Sequence, residues 1–268
     1  MLGVLLKYEL KSVGRLMLPI YGAFIAVSIL FGISLFVWDG SGNTDSFAGD
    51  VAISITGVIY TLLAIAIFVF TIILIIQRFY KNLLGNEGYL CFTLPVSTNA
   101  HIANKLISAV VWALCGIVVA GISMVILVLF FVTPGEIFEG IDRVFNEVLL
   151  YIGSGKFTLY AVELFAIAVL GCGQCAIKIY ASIAAGQIWT SHRVLGAVAA
   201  YIVFGICEVI LLNIADKICG GSFNLILTAS GDYSINAAFL FIIAVQAVLV
   251  AAYWAVTYLM LDRKLNLQ

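Results

Sequence analysis

Residues 51–76 read VAISITGVIYTLLAIAIFVFTIILII, a run of 26 residues without a Lys, Arg, Asp or Glu. A helix needs about 20 mostly apolar residues to cross the roughly 30 Å of hydrocarbon in a bilayer. A strand of a membrane barrel would alternate apolar and polar residues, whereas this run is continuously apolar. Because only helices and closed barrels satisfy their backbone hydrogen bonds in lipid, the run predicts a membrane-spanning helix.

The rest of the chain has the same character. Of its 268 residues, 64% are hydrophobic and 10% are charged, and the mean hydropathy is +1.18. Soluble domains are about one-quarter charged, so this composition excludes an ordinary soluble domain, and it also excludes a disordered chain. The net charge of −1 argues against nucleic acid as a partner, since binding phosphates requires a basic surface.

Five further runs are long enough to cross a bilayer, and the fold class is therefore all-α, a polytopic membrane protein with six transmembrane helices. No linker rich in proline or serine divides the chain, which predicts one transmembrane domain over residues 1–268. The spans contain no paired histidines, metal cluster or nucleophile turn, so we predict no catalytic residue, no metal site and no enzyme activity. The predicted spans are residues 16–38, 51–76, 106–132, 157–176, 194–214 and 237–261.

Lys and Arg indicate the orientation, because positively charged loops stay in the cytoplasm. Six spans place both termini on one side, and that side carries ten basic residues against three on the other. We therefore predict cytoplasmic termini. The ten are Lys7, Lys11, Arg15, Arg78, Lys81, Lys105, Lys178, Arg193, Arg263 and Lys264, and the three are Arg143, Lys156 and Lys217.

The segment before the first span predicts an amphipathic interfacial helix. Leucines and Val13 share one helical face, and basic residues four positions apart share another. The bilayer surface would then be a binding partner of this helix, although a solvated lead-in to the first span is the alternative. The polar residues of this helix are Lys7, Glu9, Lys11 and Arg15.

The stretch between the second and third spans retains many large apolar side chains and few charges. A loop that only reversed direction in water would not retain them, so we expect this stretch to bury them against another surface. Pro95 blocks helix continuation, and Ser97 or Asn99 can cap the next helix. The apolar residues are Phe79, Tyr80, Leu83, Leu84, Tyr89, Leu90, Phe92 and Leu94.

This stretch resembles the cytoplasmic loop of type 2 ABC exporter permeases, in which a Leu-Pro-Val-Ser motif and a Lys precede the third span. The sequence KYELK at residues 7–11 is similar to the connecting helix of the same family. Six spans with both ends inside fit the whole chain. The residues that carry the resemblance in the loop are Glu87, Gly88, Tyr89, Leu90, Thr93, Leu94, Pro95, Val96 and Ser97, followed by Lys105.

The resemblance implies a permease subunit of the bacterial cell membrane whose loop from Tyr80 to Ser97 docks on a separate cytoplasmic ABC ATPase. ATP and magnesium would bind that ATPase, and this chain would bind no cofactor. A second permease subunit, identical or not, would complete the exporter. Many family members carry an outer helical hairpin between the last two spans, whereas here the larger outer insertion follows the third span, which leaves the substrate open.

A second function from a different class is a non-transporting membrane scaffold, a sensor, or an immunity protein against a peptide. Such a protein would use the same helices to bind a ligand without moving it. ATP-dependent cargo movement in vesicles would favour an exporter, and ligand binding without flux would favour this alternative.

Glu163 and Glu208 are the only acidic residues inside the predicted spans. Each lies six residues from the outer end of its span, which corresponds to a depth of about 9 Å. Because an acid in a span is costly to insert, we expect the two to share an outer vestibule and to line the export pathway. Hydrogen bonding between helices is the alternative role. Residues 177–193, too polar for a seventh span, could extend the fourth helix into the cytoplasm.

Overall fold

The computed structural model describes residues 2–40, 47–80, 98–131, 140, 142, 146, 156–189, 192–218 and 232–263. Six long helices account for nearly all of them, and no strand occurs in these ranges. Each helix holds a segment long and apolar enough to cross a membrane, so the predicted all-helical fold with six spans is confirmed. The helices are α1 (Leu2–Gly40), α2 (Phe47–Phe79), α3 (Thr98–Phe131), α4 (Lys156–Gly186), α5 (Arg193–Ile218) and α6 (Asp232–Arg263).

The first helix joins the predicted interfacial segment and the first span without a break. Pro19 lies inside it, and because proline lacks an N–H, the carbonyl of Arg15 loses its usual helical partner there. Lys7 and Lys11 are exposed and Val13 is buried, and the amphipathic character of the segment stays a prediction. The location of this segment at a membrane surface stays a prediction.

The fourth helix is longer than its predicted span, which ended at Ala176. It continues to Gly186, so the interpretation of residues 177–193 as a helical extension is confirmed over its first ten residues. Lys178 therefore lies within a candidate membrane span, Thr158–Gly186, and not beyond its end. Without Lys178, the basic residues assigned to the side of the termini number nine instead of ten.

The chain forms two compact units. The first comprises Met1–Leu6, Ile75–Val110 and Thr158–Gln268, and the second comprises Lys7–Leu74 and Val111–Phe157. The core of the second unit is built where α1, α2 and α3 meet, and aromatic and aliphatic side chains fill it. Its buried members are Val13, Met17, Tyr21, Phe24, Ile67 and Leu74.

Polar side chains link the three helices of the second unit across this core. The hydroxyl of Ser123 on α3 lies 2.8 Å from that of Ser28 on α1 and 2.9 Å from that of Tyr60 on α2. Both serines are fully buried. In lipid such hydrogen bonds between helices replace the hydration that is missing, and each contributes roughly 0.6 to 2 kcal/mol.

Ser123→Ala should lower the free energy of unfolding by about 1 kcal/mol, because it leaves the buried hydroxyl of Ser28 and the half-buried hydroxyl of Tyr60 with one partner fewer. The matched control is Thr61→Ala, since Thr61 is exposed and its hydroxyl bonds only to a carbonyl of its own helix. Unfolding of both variants by a denaturing detergent measures the difference. Equal stability of the two would show that the Ser123 bonds contribute nothing.

The core of the first unit is built on the second half of α4. Ala176, Ala181 and Ala184 on this helix are buried and let neighbouring helices approach it closely. Tyr180 stacks on Phe79 of α2, with ring centroids 4.2 Å apart and planes inclined by 10°. The Tyr180 hydroxyl also donates to the carbonyl oxygen of Lys105 on α3. The buried members are Phe79, Ile102, Ile177, Tyr180, Ala181, Ile183, Leu249, Tyr253 and Leu261.

The end of α4 and the start of α5 approach closely. A Cβ atom added at Gly186 would lie 2.5 Å from the backbone nitrogen of Ala197. Gly196 on α5 lies equally close to α4, because a Cβ atom added there would lie 3.1 Å from the carbonyl oxygen of Gly186. Glycine at both positions lets the α4–α5 hairpin close, and this closure sets the register of α5 against α4.

Candidate functional site

A charged pair joins α4 and α5 inside the candidate membrane spans. The Nζ atom of Lys178 lies 2.6 Å from Oε2 of Glu208, and Nε2 of Gln174 donates a hydrogen bond to Oε1 of the same carboxylate. Gln174 and Lys178 are four residues apart, so one face of α4 presents both donors. Each oxygen of the Glu208 carboxylate thus has its own donor.

Aromatic residues surround this pair in the first unit. The Tyr253 hydroxyl on α6 lies 3.5 Å from Oε2 of Glu208 and 3.4 Å from the carbonyl oxygen of Phe204. Lys178, the other member of the pair, lies over the ring of Tyr201, with its Nζ atom 5.0 Å from the ring centroid, a cation–π distance. Three helices therefore contribute to one polar cluster, which we call the Glu208 cluster: Gln174, Lys178, Tyr201, Glu208 and Tyr253.

The Glu208 cluster is only partly enclosed. The side chains of Lys178 and Glu208 are 14% and 16% exposed. An isolated ion in hydrocarbon is costly, and pairing with hydrogen-bonded partners compensates for part of that cost. The exposed parts of the two side chains could therefore contact a ligand or water while Lys178 and Glu208 stay paired with each other.

A shallow groove of about 610 Å³ opens beside the pair. Small-molecule sites usually measure about 300 to 1,000 Å³ and have apolar walls with a few polar groups. This groove reaches that volume and places one ion pair among aliphatic side chains, but it is open and most of those side chains are exposed. Its lining residues are Lys178, Ile202, Gly205, Ile206, Glu208, Val209, Ile210 and Leu212.

The structure does not bring the two predicted pathway acids together. Glu163 is buried on α4, 8% exposed, and the partners of Glu208 lie 11 and 15 residues further along the same helix. At 1.5 Å per residue, that is about 16 to 22 Å from Glu163. The sequence places Glu163 and Glu208 at equal depth only by counting from the predicted ends of their helices. The close contact of α4 with α5 at Gly186 sets a different register.

The remaining predicted residues fall at several places. Tyr80 follows α2 and is 40% exposed, and Lys105 lies within α3, 8% exposed. On α1, Lys7, Lys11 and Arg15 are exposed and Glu9 is half-buried. The rest of the predicted ATPase-coupling loop, from Glu87 to Ser97, lies outside the described residues. The outer insertion after the third span also lies outside them, apart from residues 140, 142 and 146.

Sequence reasoning found Glu208 but missed the other four members of the cluster: Gln174, Lys178, Tyr201 and Tyr253. The signal was present in the spacing, because Gln174 and Lys178 are a polar pair four residues apart within a long apolar segment. Hydropathy alone ended the span at Ala176 and so placed Lys178 in the cytoplasm. Only the packing of α5 on α4 shows that Lys178 neutralises the acid of the next span.

Across the described part of the chain no three His, Cys, Asp or Glu side chains gather that could hold a metal ion. The Glu208 cluster places charged and polar groups in an apolar setting, where they can bind a charged or polar ligand. No protein-family model matches the chain, and neither a curated protein nor a solved structure matches it significantly.

Proposed function

We propose that this chain is the membrane-spanning permease subunit of an ATP-driven exporter, and that a separate cytoplasmic ABC ATPase supplies the energy. The Glu208 cluster lines the path of the cargo in this proposal. A second permease subunit, identical or different, completes the membrane part. The chain itself transfers no phosphate and binds no ATP or magnesium, which stay with the ATPase.

The observation that carries the proposal is the charged pair within the spans. Charges at membrane depth are rare, face a bundle interior or a water-filled cavity, and commonly mark a substrate or ion pathway. Here the Lys178–Glu208 pair lies beside a groove of a size that suits a small ligand. The six-span fold supports a transport role, and the resemblance of the loop at residues 80–97 supports a link to an ATPase.

Inside-out vesicles from cells that make the chain test the transport role. The vesicles are mixed with cytosolic extract and with either ATP or a non-hydrolysable analogue, and their contents are compared by untargeted mass spectrometry. We expect one class of compound to accumulate only with ATP and only when the chain is present. The variant with both Lys178→Gln and Glu208→Gln should lose this accumulation at normal expression, because the groove loses both charges.

The same vesicles distinguish the alternative. A scaffold, sensor or immunity protein would retain a compound on the chain equally with ATP and with the analogue. That result would contradict the exporter proposal. Unchanged accumulation by the double variant would contradict the role of the charged pair.

A further inference from the structure

The groove beside the Glu208 cluster contains two opposite charges that cancel. Lys178 and Glu208 both line it, and Nζ of the lysine lies 2.6 Å from Oε2 of the glutamate. Among the described residues, the other six that line the groove are one glycine and five aliphatic residues. A ligand with a net charge would therefore add a charge that the wall of the groove does not balance.

The pair lies in the interior of a candidate membrane span, Arg193–Ala215. Glu208 is 15 residues after the first residue of α5 and 10 before the last. At 1.5 Å per residue, these separations are about 22 and 15 Å. A ligand that reaches the pair must lose most of its water. This loss costs an ion far more than it costs a hydrogen-bonding group without charge.

The groove is open along the side of α5. Its lining residues Ile202, Ile206 and Val209 are each more than half exposed. In a membrane such a wall contacts hydrocarbon, so a ligand can enter the groove from the bilayer. An acyl chain alone would leave the exposed parts of Lys178 and Glu208 against hydrocarbon, which is costly. A polar group on the ligand would remove that cost.

The pair also has unused capacity for hydrogen bonds. The Lys178 ammonium has three donors, and Glu208 accepts one of them. Oε1 of Glu208 accepts a hydrogen bond from Gln174, and a carboxylate oxygen can accept a second. A group with both a donor and an acceptor, such as an amide or a hydroxyl, can therefore bond to both members of the pair. Hydrogen bonds to charged groups are stronger than those between neutral groups.

We propose that the groove binds an uncharged amphiphile, a molecule with an apolar body and one amide or hydroxyl group that bonds to Lys178 and Glu208. The apolar body lies along the aliphatic wall of α5. The proposal deepens the proposed export function and rests on it, because it names the class of cargo. Binding itself requires no ATP and can be measured separately.

The test uses photoreactive probes that share one alkyl tail and carry a diazirine beside the head group. The head is a primary amide, a trimethylammonium, a sulfonate or a zwitterionic sulfobetaine. The full chain in lipid nanodiscs is illuminated with each probe, and mass spectrometry maps the adducts. Adducts on residues 202–212 of α5 are divided by those on residues 55–65 of α2, which also lie inside a candidate span and carry no charge. This ratio removes differences in how the probes partition into lipid.

For the wild type, we expect the ratio for the amide to exceed that for every charged head by about tenfold or more, because an ion that leaves water finds no net opposite charge here. A cationic, anionic or zwitterionic head with a ratio as large as that of the amide would overturn the proposal. So would ratios near one for all four probes.

Two single variants should change the preference in opposite directions. Lys178→Gln leaves the charge of Glu208 alone, so the ratio for trimethylammonium should rise about tenfold. Glu208→Gln leaves the charge of Lys178 alone, so the ratio for sulfonate should rise by a similar factor. Lys217→Gln, at an exposed position of the same helix, is the matched control and should change neither ratio. Folded variants that keep the wild-type preference would overturn the proposal, and the wild-type series decides if a variant does not fold.

The remaining outcomes separate this inference from the exporter proposal. If the amide probe labels α5 but the vesicles accumulate nothing with ATP, the exporter proposal fails and the class of ligand stands. If ATP drives accumulation of a charged compound, the exporter proposal stands and this inference is wrong. Labelling of α5 that disappears when two copies share a nanodisc would show that a second copy fills the groove, which also overturns the inference.

Discussion

Lys178→Met should lower the free energy of unfolding by about 2 to 3 kcal/mol, because removing one partner of a largely buried ion pair leaves the other charge without its counter-ion. Methionine keeps a long unbranched side chain, so the substitution removes the charge and little of the packing. The carboxylate of Glu208 would keep the Gln174 hydrogen bond and lose its cation. Unfolding in detergent micelles, followed by circular dichroism, measures the change.

The matched control is Lys217→Met on α5. Lys217 is exposed, and substitutions at such positions usually change stability by less than about 0.5 kcal/mol. The double variant Lys178→Met with Glu208→Gln should recover most of the loss, since no isolated charge remains. A single variant as stable as the wild type would mean that water, and not Lys178, compensates Glu208.

Gly186→Val should lower stability by about 3 kcal/mol or prevent folding altogether. The new Cβ atom would lie 2.5 Å from the backbone nitrogen of Ala197 and 2.8 Å from its Cα atom. Backbone atoms cannot rotate away as a side chain can, so α4 and α5 must separate. Overpacking of this kind costs about 1 to 3 kcal/mol and occasionally more.

Gly121→Val on α3 is the control for this substitution, because a Cβ atom there meets nothing within 4 Å. The yield of monodisperse protein in detergent and its unfolding midpoint compare the two variants. Since the α4–α5 hairpin also sets the Lys178–Glu208 contact, Gly186→Val should weaken that pair. Equal behaviour of the two glycine variants would contradict the close approach at Gly186.

The six helices were predictable from sequence because each span is a continuous apolar run, and the cost of placing polar groups in lipid leaves no other structure. The prediction located Glu208 inside the fifth span for the same reason. It could not find the partner of Glu208, because hydropathy averages over a window and does not record which charges face each other. The average hydropathy around Lys178 placed this residue outside the fourth span, although Gln174, four positions earlier, indicated a polar face of the helix.

The register of neighbouring helices was the second feature beyond the reach of the sequence. Counting from predicted ends placed Glu163 and Glu208 at one depth, but helix ends are uncertain by several residues, and α4 extends ten residues past its predicted end. The closeness of Gly186 to Ala197 decides where α5 lies along α4. Glycines were visible in the sequence, but the close contact that they permit was not.

Partners recovered with the chain from its native membranes test the central claim most directly. The full chain is purified in a mild detergent, and the proteins that remain bound in stoichiometric amounts are identified by mass spectrometry. The proposal predicts that an ABC ATPase accompanies the wild type and is lost when residues 80–97 are deleted from a chain that still folds. A folded wild-type chain that retains no ATPase, or a deletion variant that retains it fully, would contradict the claim that this loop receives the work of ATP hydrolysis.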